Sequence, residues 1–263
     1  MVASMQSKMF KYHQSEDAGL PLTLLPSKYE VHVWCAELDS SGTESRAMES
    51  VLSEDELIKA AGYRFESVRN EFVCARAILR KILSHYLEIP ARDIEFTYGA
   101  HGKPFIRSNT GGNTRNLHFN LSHTHGLALC AISSQNEVGI DIEYVREDID
   151  HEEIVRQFFS PVENIFFQHL PNHAILRFFF KYWTAKEAYV KARGISLVHE
   201  LESPTVPSMN IGVHATERIN IIAVDGTLWS LYQIYPRPNF IGAVVIEGRA
   251  VNIKYFDLFC MGQ

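Results

Sequence analysis

The chain has 263 residues, of which 46% are hydrophobic and 21% charged, so it can bury a substantial core as one large domain or as two small lobes. Its formal net charge of −6 and its pI near 6.1 argue against a general nucleic-acid binder, which would carry a basic face. The longest apolar runs, such as residues 240–246, are too short to span a bilayer.

The first half of the chain predicts a strand, a long helix and further strands after a loose N-terminal arm over residues 1–27. Apolar and polar residues alternate over 29–35, which is typical of a strand. Ser53 and Glu56 have the spacing of a capping box at a helix start. From Ser67 the apolar residues follow a 3.6-residue period until Pro90, which predicts a long amphipathic helix.

The second half of the chain is likewise predicted to contain strands and one long helix. Strands are predicted at 117–121, 127–132 and 138–143. Ser160, Pro161 and Glu163 supply a cap, a first-turn proline and a capping-box acid. A second long helix is expected over about 172–192, ending at Gly194, and the last seventy residues are strand-like.

Two acids in the segment 139–143 are the first candidates for chemistry. Asp141 and Glu143 are two residues apart, so a strand would point both carboxylates to the same face. Carboxylates in this arrangement suit Mg²⁺, which prefers oxygen ligands and usually takes one or two carboxylates plus substrate phosphates. The alternative from spacing alone is the solvent-exposed face of an edge strand.

The second group of candidates lies on the second long helix. Trp183, Glu187 and Lys191 are four residues apart in turn and therefore share one helix face. An ordinary surface ion pair between Glu187 and Lys191 is the alternative. If this helix meets the strand of Asp141, three carboxylates and one ammonium converge, a set that holds a divalent cation and acts on a phosphate.

Five motifs in this order resemble the signature of the Sfp-type 4'-phosphopantetheinyl transferases. They are R-A-I-L-R at 76–80, G-K-P at 102–104, F-N-L-S-H at 119–123, G-I-D-I-E at 139–143 and W-T-A-K-E-A-Y-V-K at 183–191. The resemblance covers about residues 53–197. Two features depart from the family pattern, namely the long polar loop 108–116 and the absence of a second glycine soon after Gly194.

The resemblance implies an α/β (α+β) fold of two similar lobes related by a pseudo-twofold axis. Each lobe would pack a small sheet on a long helix, and the active site would lie in the cleft between them. We place the boundary at about residue 138, with the N-terminal lobe at 28–138 and the C-terminal lobe at 139–263.

The resemblance also implies the activity and the residues that carry it. The expected reaction transfers the 4'-phosphopantetheine arm from coenzyme A to a serine of an acyl or peptidyl carrier protein and releases 3',5'-ADP. Mg²⁺ would be held by Asp141, Glu143 and Glu187, with Glu187 as ligand or general base and Lys191 as general acid. The expected contacts to coenzyme A come from six residues, Arg76, Lys103, Ser122, His123, Lys186 and Lys191.

Two other functions stay open from the residues themselves. One is a metal-dependent nuclease, which the negative net charge disfavours. The other is a non-catalytic module that binds coenzyme A or carrier proteins. We further expect a cytoplasmic monomer that binds neither nucleic acid nor membrane. Its cysteines are far apart and should be reduced thiols: Cys35, Cys74, Cys130 and Cys260.

Overall fold

A computed structural model describes residues 25–38, 45–107, 117–195, 218–222, 226–249 and 251–258. Most of the predicted N-terminal arm, the polar loop 108–116 and Cys260 lie outside these ranges. The other three cysteines are buried, in a strand, a helix and a second strand. Within the described ranges, no helix combines the length and the apolar character needed to cross a membrane.

Each half of the chain contains a run of three helices next to runs of strands. The helices are α1 Ser45–Glu49, α2 Glu54–Ala61, α3 Glu66–Leu87, α4 His151–Phe158, α5 Pro161–Gln168 and α6 Asn172–Arg193, with a 3-10 turn at Ala91–Asp93. The strands are β1 Glu30–Glu37, β2 Phe96–Tyr98, β3 Pro104–Ile106, β4 His118–Thr124, β5 Leu127–Ser133, β6 Val138–Tyr144, β7 Arg218–Ile222, β8 Leu228–Ile234, β9 Phe240–Glu247 and β10 Asn252–Leu258.

The first large sheet has the strand order β10-β1-β5-β4. One of its faces packs against α3, whose 22 residues carry the predicted apolar stripe. Trp34, Phe119 and Ile132 from the sheet meet Leu79 and Leu83 from the helix in this core, and all five are almost fully buried.

The second large sheet has the order β6-β9-β8-β7 and packs against α6, which also has 22 residues. Tyr189 of α6 meets Trp229 of β8 edge to face in this core, with ring centroids 5.6 Å apart. Val245 and Ala243 of β9 point to the same side. Each half of the protein therefore contributes one small sheet and one long helix.

The two sheets pack on each other through their remaining faces. Val33 and Leu129 of the first sheet share a buried cluster with Ile140 and Val244 of the second. Since side chains alternate along a strand, each sheet buries one face against its helix and the other against its neighbouring sheet. The result is a helix, two sheets and a second helix in four layers, and the predicted α/β fold class is confirmed.

The chain returns to the first sheet at its end. We assigned residues 139–263 to the C-terminal lobe, but β10 pairs in parallel with β1, with Glu30 opposite Asn252 and Ala36 opposite Leu258. The outer edge of β1 would otherwise be an unpaired strand edge, which proteins commonly cover. Strand β10 therefore links the two lobes. Its pairing with β1 could not be predicted from its position in the sequence.

The predicted helix ends agree with the structure. The carboxylate of Glu56 accepts a hydrogen bond from the backbone N–H of Ser53 at 3.0 Å, and Glu163 accepts one from Ser160 at 2.7 Å. Both capping boxes are thus confirmed. Gly194 ends α6 with a φ of +64°, a conformation that favours glycine.

Candidate active site

Strand β6 and helix α6 lie in direct backbone contact at Gly139. A Cβ atom at this position would lie 2.0 Å from the carbonyl oxygen of Ala188 and 2.4 Å from the nitrogen of Ala192, so only glycine fits. Asp141 follows two residues later and points to the same face of the sheet. The close approach therefore brings Asp141 next to the last turns of α6.

Asp141, Lys191 and Ser122 form a hydrogen-bonded cluster at this contact. Lys191 Nζ lies 2.6 Å from Asp141 Oδ1 and 3.0 Å from Ser122 Oγ. Ser122 in turn donates to Asp141 Oδ1 at 2.9 Å. Since Ser122 comes from β4 at the edge of the first sheet, the cluster joins the two sheets. The second oxygen of Asp141, Oδ2, is buried without a hydrogen-bond partner among the described atoms.

Glu143 and Glu187 face this cluster from β6 and α6. Burial raises the pKa of Glu143 to about 7, with a further increase from the negative charge of Asp141. Burial and Asp141 likewise raise the pKa of Glu187 to about 7, and Glu143 adds to the effect. Three acidic side chains are thus close enough to repel one another around one cation, Lys191.

The pKa of Lys191 shifts in the opposite sense to that of an isolated buried lysine. Burial acts to lower it, but the charges of Asp141, Glu187 and Glu143 outweigh this effect and raise the pKa above its ordinary value. Lys191 therefore carries a positive charge at neutral pH.

Trp183 lies one turn before Glu187 on α6, and its side chain donates a hydrogen bond to Glu143. The predicted helix face of Trp183, Glu187 and Lys191 therefore lines one side of the site.

The donor set around Asp141 fits a hard cation better than a soft one. Among the residues that the structure describes, no three His, Cys, Asp or Glu side chains are grouped closely enough to hold a metal by themselves. Mg²⁺ does not need such a cage, because it usually takes one or two carboxylates and completes its shell with water and substrate phosphates. The unpartnered Oδ2 of Asp141 and the two glutamates with raised pKa values match that requirement.

His123 follows Ser122 on β4 but points to the opposite face of the strand, as successive residues do. Burial lowers its pKa, and the nearby charge of Lys191 lowers it further, while Glu71 of α3 opposes the shift. His123 therefore lies within electrostatic range of Lys191 on the side of the first sheet that faces α3.

Arg76 does not join the cluster of Asp141. Its Nε donates to Glu56 Oε1 at 2.6 Å, and Arg80 Nε donates to the other oxygen of the same carboxylate at 2.6 Å. Both guanidinium groups lie 4.9 Å from the centre of the Phe96 ring. With only 8% of Arg76 exposed, its charge is neutralised inside the N-terminal lobe.

Lys186 likewise lies in a buried ion pair, in the C-terminal lobe. Its Nζ lies 2.8 Å from Glu163 Oε2 in an ion pair of which both side chains are about 1% exposed. The ring of Phe159 lies beside the ammonium, 5.3 Å from it. Lys186 is therefore paired with a buried carboxylate within its own lobe, away from the pair of Asp141 and Lys191.

Lys103 is the third predicted coenzyme A contact that the structure places in a buried ion pair. Its Nζ donates to Glu137 Oε2 at 2.6 Å and to the carbonyl oxygen of Ala192 at 2.7 Å. Of the six predicted contacts, Ser122 and Lys191 bind Asp141 directly, and His123 lies within electrostatic range of Lys191.

Sequence reasoning did not find the acidic partners of the buried cations. Glu56 and Glu163 were recognised only as capping-box acids, but each also neutralises a cation from the long helix of its lobe. Asn120 was missed as well, although its Oδ1 accepts a hydrogen bond from the backbone N–H of Ile140 at 2.9 Å and so joins β4 to β6. The five-residue motif 119–123 that contains Asn120 was the available signal.

Comparison with known protein families agrees with this arrangement. Residues 137–242 match the model of the 4'-phosphopantetheinyl transferase superfamily, and residues 39–136 match that of the 4'-phosphopantetheinyl transferase N-terminal region. The two matched segments together include every residue of the cluster around Asp141.

Several curated proteins are similar in sequence. The 4'-phosphopantetheinyl transferase HetI of Nostoc sp. is 36% identical over 237 residues, which cover 89% of this chain and 94% of HetI. The 4'-phosphopantetheinyl transferase gsp of Aneurinibacillus migulanus is 37% identical over 134 residues, covering 50% of this chain and 52% of that protein. For the 4'-phosphopantetheinyl transferase Sfp of Bacillus subtilis the identity is 26% over 166 residues, covering 63% and 70%. With both family models and a full-length relative in agreement, the chain belongs to the 4'-phosphopantetheinyl transferase superfamily.

Proposed function

We propose that Asp141, Glu143, Glu187 and Lys191 carry out the transfer of 4'-phosphopantetheine from coenzyme A to a serine hydroxyl of a carrier protein. The observation that carries this proposal is the contact of Lys191 with Asp141 and Ser122, at 2.6 and 3.0 Å, with two further carboxylates facing it. The carboxylates, the ammonium of Lys191 and the hydroxyl of Ser122 therefore lie together where the two sheets meet.

Mg²⁺ is the metal that we assign to the site. Asp141, Glu143 and Glu187 would hold it together with water and substrate phosphates, and the buried, unpartnered Oδ2 of Asp141 supports this choice. When bound, Mg²⁺ neutralises charge on the diphosphate of coenzyme A. Burial and the negative charge of Asp141 raise the pKa values of both glutamates, and a divalent cation would offset that charge.

The side chains of the cluster have distinct parts in the proposed reaction. The carrier serine oxygen forms a bond to the phosphorus next to the pantetheine arm, and the bond from that phosphorus to the remainder of the diphosphate breaks. Glu187 accepts the serine proton, directly or through a water molecule. The ammonium of Lys191 stabilises or protonates the departing phosphate oxygen, and 3',5'-ADP leaves.

Coenzyme A would be positioned by residues on β4. We propose that His123 contacts the 3'-phosphate, because an imidazole that can carry charge suits a phosphate group. Ser122 is hydrogen-bonded to Lys191 and Asp141. It would hold these two side chains in position and contact the phosphates from the same side. Binding the nucleotide end in this way converts binding energy into placement of the reacting bond.

A single chain contains all the parts of the proposed site. Ser122 comes from the first sheet, while Asp141 and Lys191 come from the second sheet and its helix. No second copy is needed to bring these elements together, which supports a monomer. We also propose the lobe boundary near residue 138, and the start of β6 at Val138, the first strand of the second sheet along the chain, supports it.

The mass of a co-expressed apo carrier protein tests the proposed function. It should rise by one phosphopantetheine arm when this protein and coenzyme A are present, and EDTA should prevent the increase until Mg²⁺ is restored. Several carriers, from fatty acid, polyketide and peptide synthesis, should be tried side by side. Binding of coenzyme A without any mass increase on any carrier would instead favour the non-catalytic module.

A further inference from the structure

The side chain of Lys103 lies where the end of α6 meets the start of β6. Its Nζ donates to Glu137 Oε2 at 2.6 Å, to the carbonyl oxygen of Ala192 at 2.7 Å and to that of Val138 at 3.4 Å. An ammonium has three N–H donors, and each of them has an acceptor here. With 8% of Lys103 exposed, these contacts are largely shielded from water.

One of these contacts completes the cap of the helix that carries Lys191. The backbone N–H of Gly194 donates to the carbonyl of Lys191 and that of Ile195 to the carbonyl of Val190, each at 3.2 Å, which is the Schellman pattern. The next carbonyl, that of Ala192, is one of the last four that lack a partner within the helix. Lys103 supplies that partner, and its positive charge suits the negative end of the helix dipole.

The other contacts fix Lys103 to the strand that carries Asp141. Val138 is the first residue of β6 and Glu137 directly precedes it, so the two stand three and four residues before Asp141. Glu137 is itself held by His118 of β4, whose Nδ1 lies 3.0 Å from Glu137 Oε1. Lys103 therefore bridges the last turn of α6 and the first residues of β6.

We propose that Lys103 is a positioning residue that sets the placement of Lys191 against Asp141. Ala192 follows Lys191 directly, so a shift of the last helical turn would move the Lys191 side chain away from its 2.6 Å contact. This inference rests on the proposed function of Lys191. It assigns Lys103 a role through the protein backbone and not a contact to coenzyme A.

Replacement of Lys103 by methionine keeps most of the apolar stem and removes the ammonium. For Lys103→Met we expect kcat to fall by about tenfold or more, because displacements on the order of 1 Å at a reacting group cost up to about 10²-fold. KM and Kd for coenzyme A should stay within about twofold of wild type. A raised KM with unchanged kcat would assign Lys103 to coenzyme A binding and overturn the inference.

The matched control is Lys254→Met. Lys254 of β10 pairs with Glu30 of β1 at 2.7 Å in the first sheet, so this variant also loses a lysine ion pair. Its kcat should equal that of wild type. Hydrogen exchange of the Gly194 and Ile195 amides should become faster in Lys103→Met and stay unchanged in Lys254→Met. Unchanged exchange in both variants would contradict the capping role.

A double-mutant cycle with Lys191→Met separates positioning from general loss of structure. If Lys103 acts through Lys191, the variant that combines both replacements should have the kcat of Lys191→Met alone. Losses that multiply instead would overturn the inference. Full activity of Lys191→Met would contradict the proposed catalytic role of Lys191. Full activity of Lys103→Met alone would instead contradict only the positioning role of Lys103.

Glu137→Gln keeps the inference testable if Lys103→Met does not fold. Glutamine retains an oxygen acceptor for Lys103 but loses the charge, so we expect a smaller fall in kcat, about threefold, with KM for coenzyme A unchanged. Wild-type kcat in this variant, together with wild-type exchange at Gly194, would count against the bridge between α6 and β6.

Discussion

Lys191 Nζ lies 2.6 Å from Asp141 Oδ1, although 50 residues separate the two in sequence. One belongs to the last two turns of α6 and the other to the middle of β6, and Gly139 permits the close approach of these elements. The contact brings charged side chains from two separate sequence motifs, at 139–143 and 183–191, into one site.

Asp141→Asn should reduce transfer to a carrier protein by about 10²-fold or more, the scale for loss of one charge-stabilising group in a preorganised site. Asparagine keeps the shape of the side chain but removes the charge that pairs with Lys191 and that we assign to Mg²⁺. Carrier mass against time measures the rate. Asp148→Asn, at an exposed position after β6, is the control and should behave as wild type. Undiminished turnover by Asp141→Asn would refute the metal assignment.

Lys191→Met should lower kcat by about 10²-fold while the Kd for coenzyme A changes by less than about threefold. The physical reason is that Lys191 is expected to interact most strongly with charge that develops on the departing phosphate. Single-turnover kinetics and calorimetric titration with coenzyme A measure the two quantities separately. Weak binding with normal kcat would move Lys191 from chemistry to recognition.

His123→Ala should raise KM for coenzyme A by about tenfold, the scale of one hydrogen bond to a charged group. The increase should be smaller for 3'-dephospho-coenzyme A, which lacks the phosphate that we assign to His123. His173→Ala, exposed in the first turn of α6, serves as the control. Equal increases for both substrates would show that His123 does not bind the 3'-phosphate.

Gly139→Ala should destabilise the protein by at least about 1–3 kcal/mol, the usual cost of overpacking. The added methyl group would lie 2.0 Å from the carbonyl oxygen of Ala188, which belongs to helix backbone and cannot move alone. Urea unfolding measures the change. Gly62→Ala is a suitable control, because its φ of −76° is open to alanine and its nearest contact would be 3.4 Å. Equal stability of the two variants would contradict the close packing of β6 on α6.

Stability should decrease as the pH falls from about 6.5 to about 4, partly because of His32. Burial lowers the pKa of His32 to about 4, so between these values the unfolded chain binds a proton that the folded protein does not. Low pH therefore favours unfolding. This difference should lower the free energy of unfolding by about 3 kcal/mol once the pH is below 4. His32 lies on β1 of the first sheet, and its Nδ1 is 2.7 Å from the hydroxyl of Tyr86 on α3.

Urea midpoints at several pH values test this prediction. His32→Asn keeps a polar group near Tyr86 but cannot titrate, so its stability should fall less steeply than that of wild type over this range. Parallel pH profiles for the two proteins would show that another group is responsible.

The local features of the fold could be predicted because they depend on neighbouring residues. The capping boxes of Ser53 and Ser160, the apolar stripe of α3 and the end of α6 at Gly194 each depend on contacts within a few residues. The alternation that places Asp141 and Glu143 on one face of β6 is equally local.

The partners of the buried cations could not be predicted in the same way. Arg76, Lys103 and Lys186 stand in motifs that suggested phosphate contacts, but in the fold each meets a carboxylate far along the chain: Glu56, Glu137 and Glu163. A positively charged side chain can pair equally well with an internal carboxylate or with a bound phosphate. Only the packing of the helices and sheets decides which of the two lies within reach.

The sequence alone therefore determined where the two long helices and their caps lie, which acids share a face, and the family to which these motifs belong. The tertiary structure decided that β10 returns to the first sheet, that Ser122 reaches Asp141 across the two sheets, and that Lys103 lies under the end of α6. The physical reason is that propensity, capping and alternation act over a few residues. Pairing between distant segments instead depends on how the whole core is filled.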